Sequence, residues 1–96
     1  MGIEELLKAK REEILQIAAR HGAYNVRVFG SVARGDARPD SDVDFLVDAG
    51  PTFRFFFPGG LVADLQELLG RPVHVLTEPA IHWYIRDRVL REAVPL

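Results

Sequence analysis

A chain of 96 residues with 48% hydrophobic content is enough for one domain around one core and leaves nothing for a second. Its formal net charge of -2 excludes the strongly basic balance of a domain built to hold nucleic acid or an anionic membrane surface. The lack of cysteine excludes disulfides and thiolate zinc sites and predicts a cytoplasmic protein. No apolar run approaches the roughly 20 residues of a membrane span, and the N-terminus turns charged at Glu4 and Glu5, unlike a secretory signal.

From Ile3 to Arg20 the apolar residues Ile3, Leu6, Leu7, Ile14, Ile17 and Ala18 recur at helical steps, which predicts one amphipathic helix. His21 and Gly22 close it, and His21 reads as a surface residue favoured by the helix dipole. Tyr24 to Phe29 reads as a strand with Val26 and Val28 on one face. The stretch from Gly30 to Gly35 allows one or two helical turns with Ser31 near the N-cap, and Asp36 to Ser41 is a loop. Val43 to Val47 is a second strand, apolar enough to be buried on both faces. No crossover helix of useful length fits between the two strands, so they should be antiparallel neighbours.

Ala49 to Gly60 is punctuated as a loop by Pro51, Pro58 and Gly59. Its Phe53, Phe55, Phe56 and Phe57 read either as core rings or as an apolar patch for self-association or for docking a partner chain. Leu61 to Leu69 reads as a helix ended by Gly70, and Pro72 to Thr77 as a third strand. A last helix follows Pro79, with Ile81, Ile85, Val89 and Ala93 as its stripe and His82 and Trp83 at its start, assigned to packing and partner contact. The expected fold is α/β: a small mixed sheet with the Ser31 turn and an acidic pair on one face. Helix 1, the Leu61 helix and the last helix should pack on the other.

The chemistry concentrates between Gly30 and Asp44. Residues two apart on a strand share a face, so Asp42 and Asp44 present two carboxylates side by side, a donor set suited to Mg²⁺. Alone, such a pair also fits a solvated strand cap. Gly30 lets the backbone approach a phosphate, and Ser31 at a helix start adds a hydroxyl beside free amide N–H groups. There is no Walker lysine, so this is not a P-loop. Arg34 is near enough to the turn to touch a phosphate, and fits a solvated loop residue equally well.

Gly30-Ser31, ten further residues, then Asp42-Val43-Asp44 resembles the signature of the polymerase-β-like nucleotidyltransferases. Gly-Ser-Val-Ala-Arg-Gly at 30–35, Ser41 to Val47, Leu68-Leu69-Gly70-Arg71-Pro72-Val73 and Leu90-Arg91-Glu92-Ala93-Val94 resemble the minimal nucleotidyltransferase group over nearly the whole chain. The resemblance implies metal-bridging positions at Asp42 and Asp44 and a triphosphate position at Gly30 and Ser31. It also implies AMP transfer from ATP, with Mg²⁺, to a tyrosine of a HEPN-type helical toxin for which the chain is the antitoxin. The family's third carboxylate would stand at His74, in Val73-His74-Val75. His74 then reads as a general base, as the mark of a protein that binds nucleotide but transfers poorly, or as a tolerated pocket residue with an acid supplied elsewhere. Asp64 and Glu78 remain open as that acid, whereas Asp48 lies about 13 Å along the strand from Asp44.

Overall fold

The computed structural model describes residues 2–38, 40–50 and 59–96. The N-terminal pattern forms two helices, α1 (Ile3–Ala9) and α2 (Arg11–Arg20), where one was expected. Hydrogen bonding runs through the junction, from Lys10 N to Leu6 O at 3.0 Å and from Ile14 N to Lys10 O at 2.9 Å, so Lys10 is a kink and not a loop. Each segment keeps its own acidic first turn, Glu4 and Glu5 in α1 and Glu12 and Glu13 in α2, as separate helix dipoles favour. Ile3, Leu7, Ile14, Ile17 and Ala18 of this pair are buried.

Strand β1 (Ala23–Phe29) leads through the short helix α3 (Ser31–Arg34) into strand β2 (Val43–Ala49), and the two strands pair antiparallel as expected. Helix α4 (Gly59–Leu69) then carries the chain across to strand β3 (Val73–Thr77), which lies parallel to β2. A single 3₁₀ turn, Glu78–Ala80, precedes helix α5 (Trp83–Glu92). The chain ends in a strand that the sequence pattern does not reveal: β4 (Val94–Pro95), paired antiparallel with β1 through Arg27 and Val28. Two residues, one of them proline, carry no alternation to read. The sheet order is β3-β2-β1-β4.

Alternation along the strands sorts the core into two parts. Val26, Val28, Val43, Phe45, Val47, Val73 and Val75 point to one face, where α1, α2 and α4 close over them. Phe29 and Leu46 point to the other and meet Ile81 and Val89, with Ile85, Leu90 and Ala93 packed around them. The expected stripe of the last helix is therefore intact, but α5 covers the face opposite α1, α2 and α4. Leu46 and Leu76 alternate in register with the acidic positions, so their side of the sheet needs an apolar cover of its own, and the α5 stripe supplies it. Phe45, Leu46, Ile14, Leu61 and Leu65 are fully buried, and truncating any one of them to Ala costs about 2–5 kcal/mol.

His21 is not a lone surface residue. Its Nε2 lies 2.7 Å from Asp64 Oδ2, which ties the end of α2 to α4. His82 caps α5, its Nδ1 accepting a hydrogen bond from Tyr84 N at 3.1 Å, while Trp83 is 78% exposed and so not part of the packing. Beside the smaller core, the half-buried Arg27 guanidinium donates to Asp48 Oδ1 at 2.8 Å and to Glu78 Oε1 at 3.3 Å, pinning β1 to β2 and to the turn before α5. The phenylalanines at 53, 55, 56 and 57, with the self-association read for them, lie outside the described residues.

Candidate active site

The site begins where β1 runs out. Gly30 leaves the strand at φ 74°, ψ -149°, a conformation only glycine adopts readily, and a side chain here would collide with the Asp44 carboxylate. The reason lies in the register: Phe29 pairs with Asp44 across the sheet, so the turn after Phe29 passes directly against that acid. Ser31 then opens α3 directly after the Gly30 cap.

Asp42 precedes β2 and Asp44 lies within it, both on the face that carries Leu46. Burial pushes the Asp44 carboxyl above its ordinary value; the nearby His74 and Arg34 pull it back, and the Asp42 charge adds to the rise. Two carboxylates close enough to repel, one of them partly desolvated, are a pair that a cation would relieve. Among the described residues no group of three or more His, Cys, Asp or Glu side chains is set to enclose a metal ion. Two carboxylates on an open cavity suit Mg²⁺, which takes few protein ligands and leaves its other positions to water and phosphate.

His74 pairs in register with Asp44 on the neighbouring strand, and its Nε2 lies 2.8 Å from Asp42 Oδ2. The imidazole is thus a hydrogen-bond partner of the acidic pair. The spare acids lie elsewhere: Asp64 is held by His21, Asp48 by Arg27 and Asn25, and Glu78 by Arg27. Glu92 of α5 is the acid that does reach the site, and it is engaged by Arg34 Nη1 at 3.2 Å. Asp36 lies 3.3 Å from the Nε of the same guanidinium, and together these acids raise the pKa of Arg34.

All six residues singled out from the sequence, Gly30, Ser31, Arg34, Asp42, Asp44 and His74, line one cavity of about 410 Å³. Phe29 and Ser41 add to the same side, and α5 forms the facing wall through Ile85, Arg88, Val89 and Glu92, none of which sequence reasoning assigned to the site. Their signal was present in the i, i+4 pairs Ile85/Val89 and Arg88/Glu92, which define one helix face, but a helical pattern does not say what that face looks onto. No helix among the described residues is long and apolar enough to cross a membrane.

A family model described as nucleotidyltransferase domain matches residues 8–96. Protein adenylyltransferase MntA of Thermococcus cleftensis is 38% identical over 94 residues, which span 96% of this chain and 90% of that protein. A solved structure, provisionally described as a minimal nucleotidyltransferase, is 48% identical at a TM-score of 0.83, covering 96% of this chain and 94% of that one. A crystal structure of a toxin-antitoxin with AMP-PNP is similar at a TM-score of 0.73 over 88% of this chain and 69% of that one; at 19% identity the likeness is one of fold alone. With a family model matched from residue 8 to the C-terminus and relatives aligned almost end to end, the chain belongs to the nucleotidyltransferase domain family, among its minimal members.

Proposed function

We propose that this chain, acting as one minimal domain, is a Mg²⁺-dependent protein adenylyltransferase and the cytoplasmic antitoxin of a HEPN-type helical toxin. One observation carries the reading: a glycine-serine turn and a pair of carboxylates open into the same cavity from adjacent strands. Asp42 and Asp44 would hold the ion, which when bound supplies positive charge against the nucleotide's phosphates. Gly30 and Ser31 receive the triphosphate, with Arg34 beside them. An acceptor hydroxyl of the partner attacks the α-phosphorus, the bond from that phosphorus to the bridging oxygen breaks, pyrophosphate leaves with that oxygen, and the hydroxyl proton passes to solvent. His74 steadies Asp42 through their hydrogen bond. The protein adenylyltransferase name of the Thermococcus cleftensis relative supports the choice of AMP, and the occurrence of the fold in a toxin-antitoxin with AMP-PNP supports the choice of partner.

A second reading, neutralisation of the partner by binding alone, is favoured by two features: an imidazole stands beside the acidic pair, and Glu92 is engaged by Arg34. Incubation with α-labelled ATP, Mg²⁺ and a HEPN-type helical partner protein decides between them. Label on the partner that disappears in Asp42→Ala/Asp44→Ala supports transfer. Label that appears only after His74→Asp supports the binding reading, and no label from either protein would overturn the site.

A further inference from the structure

Arg34 and Arg88 are the two arginines of the cavity wall, and they differ in one respect. Arg34 is engaged by Asp36 and Glu92. Arg88 of α5 lines the same cavity, and among the described residues it makes no hydrogen bond or ion pair. Its helix neighbours make the contrast plain, since Arg86 Nη1 donates to Glu78 O at 2.8 Å and Arg91 Nε to Asp87 O at 3.3 Å. A guanidinium with all its donors unspent, facing an acidic pair across an open cavity, is placed for an anion that the pair does not itself neutralise.

We infer that Arg88 grips the β- and γ-phosphates of the nucleotide and is the residue by which the site tells a triphosphate from a monophosphate. The inference rests on the nucleotide reading of the cavity. Asp42 and Asp44 cancel much of the charge that a metal ion brings, so a triphosphate's distal end must find its counter-charge in the protein. Arg34 is engaged by two acids, and Arg88 is free to supply it. The planar fork of a guanidinium suits two phosphate oxygens at once, which a lysine at the same place would not match. Pyrophosphate, the group that leaves in transfer, would sit under the same side chain.

The test is equilibrium binding of ATP and of AMP, each with Mg²⁺, to the parent chain and to Arg88→Ala, Arg88→Lys, Asp42→Ala/Asp44→Ala and Arg91→Ala. Loss of a charged hydrogen-bond pair predicts that Arg88→Ala weakens ATP binding about 10-fold or more and leaves AMP binding within about 2-fold of the parent. Arg88→Lys should recover part of the loss, and Arg91→Ala, which does not line the cavity, should bind as the parent does. Equal losses for ATP and AMP, or no loss for either, overturn the assignment of Arg88 while leaving the nucleotide site standing. ATP binding that survives in both the Arg88 and the double aspartate variants, or is absent from the parent, overturns the nucleotide reading together with it. Far-UV circular dichroism of each variant separates misfolding from lost contact.

Discussion

Gly30→Ala tests the construction of the site at its tightest point. Two costs arise at that position. The backbone at φ 74°, ψ -149° lies in a region that non-glycine residues reach at a penalty of order 1–3 kcal/mol. The added methyl also meets the Asp44 carboxylate, which must turn away from its place beside Asp42. Together these should cost about 2–4 kcal/mol, or about 10–25 °C in melting midpoint for a domain of this size. Gly35→Ala is the internal comparison, since Gly35 has φ 81° but nothing within 4 Å of an added Cβ, so it should lose only about 1 kcal/mol. Urea unfolding followed by far-UV circular dichroism is the assay; fluorescence would be a poor one, because Trp83 is 78% exposed in the folded protein. Adding Asp44→Ala to Gly30→Ala removes the collision partner, so the double variant should fall short of the summed losses by about 1 kcal/mol. Additive losses, or a Gly30→Ala no worse than Gly35→Ala, would refute the close approach of turn and acid.

Burial raises the Asp44 pKa, so ionising this group costs more in the folded protein than in the unfolded chain, and its contribution to stability falls as pH rises from about 3.9 through the raised value. Asp44→Asn should therefore melt above the parent at pH 7, with the gain closing as pH falls below about 4, and Mg²⁺ should raise the parent midpoint alone; a variant that melts below the parent at pH 7 contradicts the sign. Arg27→Ala leaves Asp48 with Asn25 alone and Glu78 with Arg86 alone and, with both carboxylates part-exposed and screened, should cost about 1–2 kcal/mol by urea titration. Arg27→Lys should recover little of that loss, because a point cation cannot serve two carboxylates as a fork does, and full recovery would count against the two-acceptor geometry.

The strands were legible because Val26/Val28 and Val43/Phe45/Val47 alternate, and the antiparallel pairing because a dozen residues of loop hold no crossover helix. The acidic pair and the glycine turn were legible for the same local reason: strand period and turn chemistry act over a few residues. What escaped was either invisible in phase or decided at long range. The Lys10 kink leaves the apolar stripe in step from Leu7 to Ile14, so nothing in the pattern marks it. His21 looked solitary because Asp64, 43 positions away, meets it only once α4 packs on α2. The side taken by α5 follows from which strand residues need covering, a property of the assembled sheet and not of the helix, and with it went Arg88 and Glu92.

The two unequal cores give the molecule two unequal lifetimes. The smaller one holds α5 through Phe29, Leu46, Ile81 and Val89, whereas α1, α2 and α4 share a far larger buried cluster. Amide hydrogens of α5 should therefore exchange faster than those of β2, through partial opening that leaves the sheet intact. The Arg34–Glu92 pair is then a clasp across the mouth of such an opening, joining α3 to the last turn of α5. A ligand touching both the strands and the helix would close the two parts into one cooperative unit, and slowed exchange in α5 would record its arrival.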